Sequence, residues 1–183
     1  STDPSLVLDF CRGMSAQIVL VGHLLAFFHW QETYNLPIIQ NYGVVVFFVL
    51  SGFLIVQTTL VKGGEYGLPA YLIDRFSRIY YSFVPALLFI VFIDLIMKFY
   101  FSYDDGHVFN ITTFLSNLFQ LQSYPYLQHY GIEAFGSARP FWTVAIEWWL
   151  YVAFGYLYYQ IVNPQKQNRI FGALFLLSLP VIF

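Results

Sequence analysis

Long apolar runs alternate with short polar breaks along this chain. Apolar residues dominate 13–30, 42–61, 79–101 and 141–162, and a further run occupies 170–183. A helix that crosses the hydrocarbon of a bilayer needs roughly 20 such residues. The breaks are of the kind that stops a helix. Lys62-Gly63-Gly64-Glu65 follows the second run and Asn163-Pro164 follows the fourth. Trp30, at the end of the first run, suits a membrane–water interface. The pattern predicts an all-α, polytopic transmembrane helix bundle with four full spans and a fifth, truncated one. One segment fits less well. Residues 111–122, ITTFLSNLFQLQ, have helical spacing but are short and rich in amides.

Loop charge supplies an orientation. Arg12, Lys62, Arg75 and Arg78 flank the first three runs on one side, and the positive-inside rule makes that side cytoplasmic. The 31–41 loop carries no Lys or Arg and is expected outside, as are Asp104 and Asp105. Lys166 and Arg169 are expected to be cytoplasmic again. One crossing fits between Asp105 and Lys166, and 141–162 is the better candidate. That leaves 111–122 as a re-entrant or interfacial helix. The chain is thus expected to be a multi-pass membrane protein with its N-terminus in the cytoplasm.

Composition narrows the classes. The chain is 58% hydrophobic, 22% aromatic and 10% charged, whereas a soluble domain has about a quarter of its residues charged. The formal net charge of -2 gives no reason to expect a nucleic-acid partner. A single Cys11 rules out an internal disulfide and predicts no thiolate metal site. No Gly-rich phosphate loop or His-Glu-x-x-His pattern occurs, and no metal is expected. The chain starts at Ser1 and ends inside an apolar run at Phe183, so it is expected to be part of something longer. The first apolar run lacks a small-residue cleavage site and does not read as a secretory signal.

Ionisable groups inside the apolar runs carry the chemical signal. Such residues are expensive in lipid and normally face a protein interior or a wet cavity. Arg12 and His23 lie eleven apart in RGMSAQIVLVGH. Eleven residues come to about three helical turns plus 20° and rise about 16 Å, so the two share one face. Neutral histidine is the cheapest ionisable group to bury and the usual proton acceptor near pH 7. At about 1.5 Å per residue, Asp94 falls about 22 Å and Glu147 about 21 Å from the cytoplasmic rim, near the expected depth of His23. A shared polar cavity explains that coincidence. The competing readings are a hydrogen-bonded packing role for His23 and a plain anchoring role for Arg12. Asp94 and Lys98 lie four apart and read best as a self-neutralising pair. Arg75 and Arg78, on adjacent helical positions before the third run, suit phosphate groups at the cytoplasmic surface or simple topological anchoring. Gly52, after Ser51 in FFVLSGFLI, is a candidate site of close helix approach. The abundant Tyr and Phe read as packing.

Four stretches in order resemble the membrane acyltransferase family 3. LDFCRGMSAQIVLVGH resembles the opening Leu-Asp-Gly-x-Arg-Gly…Gly-His stretch of the family, with its arginine and histidine on Arg12 and His23. FFVLSGFLI resembles its second span. RFSRIYYSFVPALL resembles its Arg-x-x-Arg-Ile-Tyr approach to the third, and FWTVAIEWWLYV its Trp-Ser-Leu-x-Val-Glu stretch, with Trp142 and Glu147 on the matching positions. The agreement covers residues 8 to 152. Tyr81 and Ser82 stand where the family usually has proline, and Trp148 and Trp149 where Glu-Gln is common. The resemblance implies the N-terminal half of a protein of about ten spans. It implies an integral O-acyltransferase, with cytoplasmic acyl-coenzyme A (acetyl-coenzyme A being the expected form) as donor substrate and no permanently bound cofactor. The acceptor would be a hydroxyl of an extracytoplasmic carbohydrate or glycosylated molecule, and the expected location a bacterial inner membrane. His23, Arg12 and Glu147 are the expected catalytic residues, Arg75 and Arg78 the donor-binding ones, and Trp142 and Ser51 substrate contacts. Glu147 would orient the imidazole or hold acceptor hydroxyls. The rival class is a transporter or exporter using the same buried groups. It would more often show broken, internally repeated spans, which are absent from this stretch.

Overall fold

The computed structural model describes residues 4–62, 67–102, 109–162 and 169–182. Asp104, Asp105, His107, Asn163, Pro164, Lys166 and the Gly63–Glu65 break lie outside the described residues. Every described element is helical. The chain divides into two compact units, Ser1–Gly63 and Gly64–Phe183.

The first unit is a pair of long helices, α1 (Pro4–Phe27) and α3 (Ile39–Lys62), with the single turn α2 (Trp30–Thr33) between them. Two glycines set how closely the long helices pack. A Cβ at Gly43 would lie 2.8 Å from Val19 Cγ2 and 3.0 Å from the Ser15 carbonyl oxygen. A Cβ at Gly22 would lie 2.7 Å from the backbone nitrogen of Gln40. Small residues that let backbones meet are what hold helices together where the solvent is itself apolar. Gly52 is not such a site, since a Cβ there would meet nothing within 4 Å. Near the loop, Gln31 Nε2 donates to Gln40 Oε1 at 2.7 Å and to the Gly22 carbonyl at 3.3 Å, which closes the pair at that end.

The second unit is built on α4 (Leu68–Tyr100), α7 (Trp142–Val162) and α8 (Arg169–Ile182). Two short helices, α5 (Ile111–Leu118) and α6 (Pro125–Gln128), and a 3-10 turn (Arg139–Phe141) lie in the connection between α4 and α7. α4 has 33 residues. It starts at Leu68, with Pro69 in its first turn, and absorbs Pro85 without a break. The helix therefore begins eleven residues before the apolar run at 79, and Arg75 and Arg78 are helical residues.

Among the described residues, three helices are long and apolar enough to cross a membrane: Leu6–Phe27, Ile39–Val61 and Leu68–Tyr100. α7 has 21 residues but falls outside that class. Its three tryptophans, four tyrosines, Glu147 and Gln160 lower its mean hydropathy. α5, with eight residues, rises only about 12 Å and is too short to cross. Asn117 on α5 and Gln122 after it help fasten the connection. Asn117 Nδ2 donates to the carbonyls of Thr113 and Glu133, both at 2.8 Å, and Asn117 Oδ1 accepts from the Phe135 N–H at 3.2 Å. Gln122 Nε2 donates to the Phe141 carbonyl at 3.0 Å. Trp149 Nε1 on α7 donates to the Gln120 carbonyl at 2.8 Å. Asn117, Gln120 and Gln122 are all buried; Asn117 uses both ends of its amide, whereas Gln120 Nε2 and Gln122 Oε1 have no hydrogen-bond partner among the described residues.

Candidate active site

In the first unit α1 runs unbroken through both Arg12 and His23. The eleven-residue separation therefore keeps its helical meaning, and the two side chains lie on one face about 16 Å apart along the axis. That face borders the stripe of Ser15, Val19 and Gly22 that packs on α3. His23 is half-buried, and among the described residues no group hydrogen-bonds or pairs with its ring. A neutral imidazole offers one donor and one acceptor nitrogen, and both remain available here. Arg12 is more held. Its side chain is 21% exposed, it reaches Asp9 at 3.6 Å, and its guanidinium lies 5.6 Å from the ring of Phe47 on α3. Its Nε is buried with no acceptor among the described residues. Ser51 is buried on α3.

The second unit holds Arg75, Arg78, Trp142, Glu147 and Asp94. Arg75 is buried between two aromatic faces, 5.4 Å from the Tyr71 ring and 5.8 Å from the Tyr151 ring. Guanidinium groups are suited to such stacking because they are planar and weakly hydrated. The Tyr71 hydroxyl donates to the Tyr151 carbonyl at 3.2 Å, and the Tyr151 hydroxyl donates to the Glu147 carboxylate. A continuous set of contacts thus links Arg75 on α4 to Glu147 on α7. Gly155 makes room for it, since a Cβ there would lie 2.5 Å from Tyr71 Cε1. Arg78, one turn on, is exposed and has no ion-pair partner among the described residues. Trp142 opens α7 and is 42% exposed, its carbonyl accepting from Ser123 Oγ at 2.8 Å.

Asp94 does not form the expected pair with Lys98. Its carboxylate accepts two hydrogen bonds from Ser137, from the backbone N–H at 2.9 Å and from the hydroxyl at 2.8 Å. Gly136 beside it has φ +53°, and a Cβ there would lie 2.0 Å from Asp94 Oδ2. Only glycine meets both demands. Asp94 is therefore a clamp on the turn that feeds α7. The Lys98 ammonium sits instead 5.9 Å from the Phe109 ring.

Sequence reasoning singled out Arg75 and Glu147 but passed over the tyrosines between them. The signal was present. Tyr71 lies four residues before Arg75 and Tyr151 four after Glu147, spacings that place each on the same helix face as its partner. In a chain with 15 tyrosines that spacing alone does not stand out.

The acyltransferase 3 family, described as an acyltransferase domain, matches over residues 6–183. No curated protein and no solved structure matches. The family match takes in nearly the whole chain, so the chain belongs to this family, and it is an acyltransferase. Together with its long apolar helices, that makes it a multi-pass membrane protein.

Proposed function

We propose that this acyltransferase moves an acetyl group from cytoplasmic acetyl-coenzyme A to a hydroxyl of an extracytoplasmic carbohydrate or glycosylated acceptor, with His23 as the general base. The half-buried, unpartnered imidazole on an apolar helix is the observation that carries this reading. The acceptor oxygen attacks the thioester carbonyl while His23 takes its proton. The tetrahedral adduct then expels the thiolate, which recovers that proton from the imidazolium. The products are an ester and free coenzyme A. Positioned base catalysis of this kind contributes roughly 10²–10⁴-fold. Arg12, on the same face of α1 with a buried and unsatisfied Nε, is assigned to negative charge on the donor or on the adduct.

In the second unit Arg78 is assigned to the donor's phosphates, and its exposure supports that. Arg75 is assigned to donor binding through the same helix, held in place by its tyrosine rings. Glu147 is assigned to acceptor hydroxyls, with Tyr151 fixing its carboxylate, and Trp142 and Ser51 remain substrate contacts in this reading. α7 is read as a further crossing, α8 as part of another and α5 as interfacial or re-entrant. The N-terminus is read as cytoplasmic in a bacterial inner membrane. Family membership favours this enzyme over a transporter.

The test is to incubate membranes with radiolabelled acetyl-coenzyme A and follow label into the glycan fraction. His23→Ala should leave the protein in the membrane and lower transfer by at least about 10²-fold. Undiminished labelling in that variant would remove His23 from the mechanism.

A further inference from the structure

A groove of about 330 Å³ lies in the second unit, between the C-terminal half of α4 and the start of α5. Leu88, Val91 and Leu95 form its α4 wall, and Phe109, Phe114 and Phe135 close the other side. Among the described residues, no charged side chain lines it. Neither the donor nor a sugar matches such a surface. A hydrocarbon chain does.

The spacing of the α4 residues says how such a chain would lie. Positions 88, 91, 95 and 98 fall within about 80° of one another around the helix, so Lys98 continues the stripe formed by the other three. From Leu88 to Lys98 the helix rises about 15 Å, which is half of a bilayer core of about 30 Å, the depth of one leaflet. Lys98 stands in the last turn of α4. It is exposed, and its ammonium lies 5.9 Å from the ring of Phe109, a residue of the groove. Asp94 does not neutralise it, because that carboxylate is engaged by Ser137. One face of a spanning helix thus carries an apolar trough one leaflet deep with a cation at its rim.

We propose that this groove binds one anionic phospholipid of the bilayer, with an alkyl chain along Leu88, Val91 and Leu95 and the headgroup phosphate on Lys98. The groove supplies residence for any alkyl chain, and the lysine selects negative headgroups. One basic residue near an anionic surface is worth about fivefold in affinity. The inference is independent of the transfer chemistry and uses none of its residues.

The experiment takes the full chain into nanodiscs of phosphatidylglycerol and phosphatidylcholine and counts retained lipids by native mass spectrometry. Wild type should hold phosphatidylglycerol in preference. Lys98→Gln, at an exposed position that does not threaten the fold, should reduce that preference about fivefold and leave phosphatidylcholine retention unchanged. Val91→Trp should fill the groove and lower retention of both lipids, with helicity checked by circular dichroism. A phosphatidylglycerol preference that survives Lys98→Gln would overturn the proposal. So would wild-type retention in a folded Val91→Trp variant. Displacement of phosphatidylglycerol by an equimolar polyprenyl phosphate would overturn it in favour of a lipid carrier.

Discussion

His23 and Glu147 are both ionisable side chains on apolar helices, yet their surroundings differ in kind. His23 sits half-buried on α1, and no group among the described residues engages its ring. Glu147 accepts from the Tyr151 hydroxyl, Tyr151 receives Tyr71 on its carbonyl, and both rings face Arg75. The first unit spends its polar atoms on closing a helix pair through Gln31 and Gln40 and leaves its imidazole open. The second unit engages Arg75, Glu147 and Asp94 with its own residues, Asp94 through Ser137, and leaves Arg78 exposed. A buried polar group costs stability unless it is satisfied. A group left open at that cost is a candidate for chemistry, whereas an engaged one is a candidate for holding the structure still. The contrast predicts that substitutions in the first set change rate with little change in stability, and that those in the second change stability first.

The largest effect should come from His23. His23→Ala and His23→Gln should each lower transfer by about 10²–10⁴-fold, while the melting temperature in detergent stays within a few degrees of wild type. A large drop in melting temperature with proportionate loss of activity would place His23 with the engaged groups and erase the contrast.

Arg75 and Arg78 divide the same question within one helix. Arg75→Ala removes a buried side chain from between two rings and should cost about 2–4 kcal/mol of stability, the range for large core truncations. Arg78→Ala should leave stability unchanged and raise the KM for the acyl donor about tenfold, as expected when a charge-assisted contact to phosphate is lost. Equal stability losses in the two variants would show that exposure does not separate their roles.

Gly43→Ala tests the packing that supports α1. The added methyl would lie 2.8 Å from Val19 Cγ2 and 3.0 Å from a backbone oxygen, so the helices must separate. Overpacking of this kind costs about 1–3 kcal/mol. Gly52→Ala, with open space around it, should cost nothing measurable. Thermal unfolding of the two variants in one detergent gives the comparison directly.

Much of this architecture was legible in the sequence. Apolar runs of about 20 residues cannot be hidden in a small soluble core, and the three helices long and apolar enough to cross a membrane follow from that constraint. The shared face of Arg12 and His23 needed only the helical period and a run without breakers. What stayed illegible was partner choice. Asp94 reads as Lys98's neighbour because they lie four apart, but its partner is Ser137, 43 residues on. That pairing depends on a left-handed glycine in a turn whose course no periodicity reports. The Arg75–Tyr151 stacking likewise joins residues 76 apart and is invisible to any local pattern. The amide-rich 111–122 segment was marked as unusual, but not as the group of side chains that fastens the connection between α4 and α7.

Asp94 offers the smallest and most discriminating effect. Its two acceptors face a backbone N–H, which can only donate, and a serine hydroxyl, which can donate or accept. An asparagine of the same shape can turn its carbonyl oxygen toward the N–H and its amino group toward the hydroxyl, which then accepts. Asp94→Asn therefore keeps both hydrogen bonds and loses only their charge assistance, about 1 kcal/mol. Asp94→Leu leaves the Ser137 N–H without its acceptor and should cost about 2–3 kcal/mol. If Asp94 is a clamp, the two variants lose stability in that order, and acyl transfer by the asparagine variant stays within about twofold of wild type at a temperature where it is folded. If the carboxylate instead takes part in chemistry, asparagine and leucine should lower the rate alike and by far more, because neither can accept a proton. Rate and melting temperature measured on the same two preparations distinguish a carboxylate that holds a turn from one that handles a proton.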